Sequence, residues 1–268
     1  MTAMDTLREL QPKIKRADSA HGDPYYIVEG YPEPFPSVTT ILNAVVAKPG
    51  LVLWARNVAL DDVKQTLYGV TPIDVPTDFK FMWNDWVDKT IEKARKRPDE
   101  VRDQAADFGT RSHTLINDCI FGNNREIPVD LSDIIMGFLN WRDLTGLHIV
   151  PGEMMVYHPK LHYAGTLDAI GERDGQLVSL HFVAADAIHP EHFLQVAGYL
   201  MAIASMLDQG MPLAPESWVL RFGKTSPSFE AVHIPDLWAA MEGFRCASGL
   251  YRALEQLKVP KGKAVVVA

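Results

Sequence analysis

The sequence predicts an α/β protein, and three observations lead to that reading. Its first half is dominated by apolar-periodic helical stretches, whereas short runs of β-branched and aromatic residues separated by turn residues begin at His148. Amphipathic helices then return between and after those runs. A succession of helix, three strands, helix, further strands and a closing helix builds a mixed sheet flanked by helices.

In chain order, a polar start leads to Tyr25 to Gly30, which suits a short strand, and the proline-spaced YPEPFPS then breaks the chain. SVTTILNAVV follows as a helix with Ser37 as its N-cap. A break at Pro49-Gly50 opens a second helical stretch whose packed face includes Trp54 and Ala55. The third, Asp78 to Arg97, carries Trp83 and Trp86 at helical spacing as one buried stripe and ends at Pro98. RPDEVRDQAADFGTRSHTLINDCIF gives a helix whose later part bears His113. DLSDIIMGFLNWRDLTG gives another, stopping near Gly146.

HIVPGEMMVYH, YAGTLDAIGERDG and QLVSLHFV read as three successive strands, with Asp174-Gly175 as the hairpin turn between the second and third. PEHFLQVAGYLMAIASML is a helix with Pro190 in its first turn. SWVLRFG and FEAVHI are two more strands before a closing helix from Pro235 to about Leu257. No linker separates two domains. Residues 1–268 are expected as a single domain, with 1–100 a mainly helical elaboration and 101–258 an α-β-β-β-α-β core.

The composition is that of a packed globular protein, with 47% hydrophobic and 22% charged residues. A formal net charge of -8 repels polyanions, so any nucleic-acid contact must be local. The best local basic run, KARKR from Lys93 to Arg97, equally suits the solvated face of a helix. Cys119 and Cys246 are isolated and expected as buried thiols, with no zinc spacing or disulfide framework. The N-terminal stretch lacks the apolar core of a signal peptide and no run is long enough to span a bilayer, so a cytoplasmic, membrane-free protein is expected.

Chemistry gathers around one strand. Asp168 interrupts the apolar YAGTLDAI, where a carboxylate needs a partner, a metal or solvent to offset desolvation. The Asp174-Gly175 hairpin brings the next strand alongside. There Ser179, His181 and Val183 share one face, opposite Val178, Leu180 and Phe182. GTRSH puts His113 on a preceding helix, and Gln195 and Tyr199 share a helix face at i and i+4.

In this order and spacing the features resemble the PD-(D/E)XK nuclease superfamily, specifically its RecB-like, phage-type exonuclease branch. YYIVEG, PSVTTIL and KPGLVLWA are similar to that branch's N-terminal region, and FGTRSHTLI to its Gly-Thr-x-x-His helix. EMMVYHPKLHYAGTLDAI resembles its Glu strand followed by Gly-Thr-x-Asp, and QVAGY its Gln-x-x-x-Tyr helix. The resemblance covers most of the chain and implies a restriction-endonuclease-like sheet. It implies further that His113 and Asp168 are metal-site positions, that Gln195 and Tyr199 support the site and the DNA backbone, and that Glu153 is an acidic position of the metal site. Glu153 equally suits a solvent-facing strand edge.

The third strand departs from the family pattern. His181 falls where the resemblance calls for Asp or Glu, Val183 where it calls for Lys, and Ala184-Ala185 where it calls for small hydroxyl residues. Such a site holds Mg or Mn on carboxylates to activate water. Exchanging a carboxylate for imidazole removes a charge and offers magnesium the wrong donor. Losing the lysine removes a cation of a kind whose deletion costs roughly 10²–10³ in rate. His181 either joins His113 and Asp168 in a transition-metal site or only fills space. No iron-sulfur cluster is expected from two cysteines.

Three functions follow as expectations. One is a catalytically silent or impaired nuclease relative, a pseudoenzyme, binding DNA or a replication or recombination partner. Another is an active divalent-metal-dependent DNA exonuclease with a rearranged site. The third is an interaction protein using the scaffold alone.

Overall fold

The computed structural model describes residues 3–19, 22–46, 48–68, 79–123, 126–150, 152–207, 213–224 and 227–258. The chain, expected as one domain, forms two compact units, residues 1–46 with 112–268, and residues 47–111. The mainly helical elaboration expected over 1–100 is therefore shared between both units.

The smaller unit holds α3 (Pro49–Tyr68) and α4 (Phe79–Phe121) as far as Arg111. The expected stop at Pro98 does not occur, and α4 runs through it. Proline removes one backbone bond, but each residue propagated on either side adds one. Pairs at i,i+3 such as Arg97 with Glu100 and Arg102 with Asp99 brace the crossing. Within KARKR, Lys93 pairs with Asp62 at 3.4 Å and Arg95 with Glu92 at 2.6 Å, so much of that charge is answered locally. Trp54, expected in a packed face, is 38% exposed. Trp86 is half-buried, and the Trp83 side chain lies outside the described residues.

The larger unit is mixed α/β. A five-stranded sheet has the order β10-β9-β8-β7-β4, formed by β4 (His148–Val150), β7 (Ala169–Arg173), β8 (Gln176–Ala184), β9 (Leu213–Phe222) and β10 (Phe229–His233). Among the described residues of this sheet, only β8 and β9 pair in parallel, because the helix α6 (Pro190–Met206) carries the chain back between them. One face of this sheet packs Phe182, Trp218 and Phe229 against Phe138 and Trp141 of α5 (Ser132–Thr145), with Phe222 beside Phe182 and Phe229. The other packs Val183 and Val219 against α6, with Ala240 of α7 (Leu237–Gln256) in the same cluster.

Two smaller sheets complete this unit. β5 (Met154–His158) pairs with β6 (Tyr163–Leu167), and β1 (Ile14–Asp18), β2 (Pro24–Val28) and β3 (Phe35–Pro36) form a meander. The side chain of Gln11 closes on Met155, donating to its carbonyl at 2.9 Å and accepting from its N–H at 2.8 Å. That amide stands in for a neighbouring strand.

Several local expectations hold. Ser37 caps α2 (Val38–Val45), accepting from Thr40 N at 2.8 Å. Asp174 and Gly175, at φ 53° and 76°, turn the β7–β8 hairpin, and Gly146 ends α5 at φ 64°. Others do not. His148 to His158 is two strands in different sheets, with Gly152 at φ 99° in the connection. The polar start contains α1 (Ala3–Leu10), which buries Met4 and Leu7, and β1, whose sequence IKRAD buries only Ile14. Neither cysteine is buried: Cys119 is half-buried and Cys246 lies exposed on α7, near Glu242 Oε1 at 3.7 Å. No described helix is long and apolar enough to cross a membrane.

One close approach fixes how β6 meets α6. A Cβ at Gly165 would lie 2.4 Å from the ring of Tyr199, a side chain that is itself buried. Gly165→Ala is therefore expected to destabilise the protein by about 1–3 kcal/mol through overpacking. Urea unfolding measures this; an unchanged midpoint would refute the contact.

Candidate functional site

YAGTLDAI is broken at its carboxylate. β6 ends at Leu167 and β7 begins at Ala169, so Asp168 sits where the chain leaves one sheet for another, not in mid-strand as expected. The physical reason is its side chain. Asp168 Oδ2 accepts the backbone N–H of Phe182 at 2.8 Å, taking the role of a ladder carbonyl.

The same oxygen accepts from Nδ1 of His181 at 2.7 Å. Register explains the meeting, since Ala169 faces Leu180 and the next positions outward are Asp168 and His181. A carboxylate only accepts, so Nδ1 of His181 carries the proton and Nε2 is left as the other ring nitrogen. The other carboxylate oxygen, Oδ1, lies 3.5 Å from Nδ1 of His113. That histidine rises from α4 and rests edge-on against Phe182 and Phe222, with ring centroids 5.5 and 5.8 Å away.

The two imidazoles approach Asp168 from opposite faces of β8. His181 points to the α6 face, its ring 6.0 Å from that of Tyr199, whereas His113 packs on the face bearing Phe182. Gln195 Nε2 donates to the Tyr199 hydroxyl at 2.9 Å, so the two α6 residues act as a pair. Val183 joins Val196, Ala197 and Val219 in an aliphatic cluster. Glu153 is exposed just before β5, within electrostatic range of His113 and Tyr26.

Of the residues singled out in the sequence, His113, Asp168, His181 and Tyr199 meet, with Gln195 attached through Tyr199. Val183 lies apart among aliphatic side chains. Among the described residues, no group of three or more His, Cys, Asp or Glu side chains is arranged to hold a metal ion.

The N-terminal meander supplies what the sequence did not signal. Tyr26 is buried, and its hydroxyl bonds Thr166 Oγ1 at 2.8 Å, two residues before Asp168. Arg16 stands directly opposite Tyr26 on β1. The sequence signs of this wall were the strand-like residues of YYIVEG and their resemblance to an N-terminal family region, neither of which places Tyr26 against Thr166.

Burial pushes the Asp168 carboxyl up, but the bond and charge of His181, the charge of His113 and the Phe182 N–H outweigh it, leaving its pKa below the ordinary value. Burial lowers that of His113, against partial opposition from Asp168. Burial pushes the Tyr199 phenol far up, so it remains a neutral hydroxyl.

Both shifts give acid sensitivity. A depressed carboxyl contributes stability that is full above its unfolded value, about 3.9, and is lost as pH falls through the folded value. A depressed imidazole favours the neutral form, so folding also weakens as pH falls below about 6.5. Asp168→Asn is expected to lower stability at neutral pH by roughly 1–3 kcal/mol and to flatten the loss below about pH 4. Urea unfolding across a pH series measures both; parallel curves for variant and wild type would contradict the assignment.

No family model matches the chain, and no curated protein matches it. A solved structure described as the crystal structure of SSO0001 is similar at a TM-score of 0.33 and 10% sequence identity, over 75% of this chain and 86% of that chain. Likeness at that level carries no argument about fold or role.

Proposed function

We propose that the larger unit is a restriction-endonuclease-like scaffold of the PD-(D/E)XK type, RecB-like branch, that binds DNA around Asp168 with phosphodiesterase activity lost or severely weakened. The observation that supports this reading is the placement of two side chains on β8. His181 is bonded to Asp168 where the chemistry needs a second acid, and Val183 is packed among aliphatic side chains where it needs an amine.

The donor set fits magnesium poorly. One oxygen of the central carboxylate already accepts two hydrogen bonds, and its neighbours are imidazoles, which suit manganese, iron or zinc better. His113, His181 and Asp168 would have to give up their mutual contacts to hold such an ion, with Glu153 as a further acid. When bound, a divalent ion would supply an activated water and neutralise charge on a phosphate.

A net charge of -8 restricts nucleic-acid contact to a local surface, and the resemblance to the exonuclease branch is what suggests a replication or recombination role in the cytoplasm, with DNA or a protein partner. End-labelled linear duplex and single-stranded DNA, incubated with the protein in magnesium and then manganese, are expected to remain intact. Binding is expected, weakening steeply as salt rises. Cleavage abolished by Asp168→Ala would instead establish an active exonuclease, and absence of binding would leave an interaction scaffold. His181→Asp combined with Val183→Lys is expected to raise cleavage above the wild-type level.

A further inference from the structure

The strand β1 alternates, and its inward positions are those that share a face with Ile14. Ile14 is buried opposite Val28, and Arg16 is the next residue on that face, opposite the buried Tyr26. An arginine in this position would ordinarily be expected to point away from a core. Here its side chain is 53% exposed, which places the guanidinium within reach of solvent at the rim of that face.

That rim borders the site. Tyr26 bonds Thr166, and Thr166 is two residues from Asp168. Burial raises the pKa of both the Tyr26 and Tyr199 phenols, and the charge of Arg16 acts on each in the opposite direction. One cation is thus felt by hydroxyls on the meander and on α6. Its ion pair among the described residues is a loose one, with Asp18 Oδ1 at 3.9 Å. A guanidinium carries five N–H donors in a fork that matches phosphate, and a pairing at that distance leaves most of them free for a ligand.

Resting on the DNA-binding reading above, we propose that Arg16 is the phosphate-binding cation of this site, holding a nucleic-acid backbone phosphate beside Tyr26 and Thr166. The lysine position on β8 is Val183, so a cation must come from another segment if a polyanion is to bind a protein of net charge -8. β1 delivers it from the far end of the sequence. Arginine suits a holding role: it stays charged and does not readily give up a proton to chemistry.

Lys15 provides the control. It is adjacent in sequence but on the opposite face, paired with the exposed Ile27, so Lys15→Glu changes net charge as Arg16→Glu does without touching the rim. Fluorescence anisotropy with a short labelled single strand and its duplex, from about 50 to 200 mM salt, reads affinity and salt dependence together. Arg16→Glu is expected to lose about tenfold in affinity and to reduce the logarithmic salt slope by about one, with Lys15→Glu near wild type. Arg16→Met, which keeps the aliphatic stem, is expected to lose the same slope and decides the matter if the glutamate variant fails to fold. Arg16→Lys is expected to keep the slope.

Wild-type binding that is unchanged in both charge-removing Arg16 variants, or weakened equally by Lys15→Glu, overturns this assignment while leaving the DNA-binding reading standing. No binding by wild type to either nucleic acid overturns both.

Discussion

One carboxylate sets the terms for the larger unit. An ionised Asp168 taken out of water costs several kcal/mol unless donors surround it. It meets that condition with the Phe182 N–H and His181 Nδ1 on one oxygen and His113 facing the other. The first two of those donors depend directly on the register of β8, and the third, His113 of α4, rests edge-on against Phe182 of the same strand. Slipping the strand by one residue would exchange its faces, directing Phe182 toward α6 and His181 toward the aromatic layer under α5. The carboxylate would then lose its imidazole while Phe138 and Phe222 lost their neighbour. Polar satisfaction and aromatic packing therefore select the same register.

The contact of Gly165 with Tyr199 extends that constraint to the helix. The tyrosine ring occupies the volume a Cβ at residue 165 would need, and its hydroxyl then meets Gln195. A glycine two residues from the end of β6 and a tyrosine on α6 are two halves of one packing arrangement. This gives a physical reason for the two motifs to occur together, independent of any ligand. It also means that Gln195 and Tyr199 have structural work whether or not nucleic acid binds.

What was legible in the sequence was local. Ser37 as a cap, the Asp174-Gly175 turn, and the alternation of Ser179, His181 and Val183 each follow from a few adjacent residues, and each is found. The break at Asp168 was not legible, because it depends on the amide N–H of another strand donating to a side chain. Nor was the meander wall. Tyr26 and Thr166 are 140 residues apart, and β1 is too polar to announce itself as a strand. Proline at 98 misled in the opposite sense, since helix propagation on both sides outweighed a local breaker. Sequence patterns report what neighbours dictate, whereas this site is assembled from β1, β2, α4, β6, β8 and α6.

On the proposed reading, an exchange of an acid for His181 has a consequence for stability as well as for chemistry. Two carboxylates held at hydrogen-bonding distance repel, and one must take up a proton or a cation must intervene. On the proposed reading, an ancestral site of that kind would lean on its metal to remain satisfied. An imidazole in the same place donates to Asp168 directly, turning a repulsive pair into an attractive one. On that reading the fold would no longer need an ion at its centre, and Val183, resting among Val196, Ala197 and Val219, places no charge in the aliphatic cluster. Binding can persist on such a scaffold after hydrolysis has gone, since holding a phosphate needs a cation at the rim and not an activated water at the core.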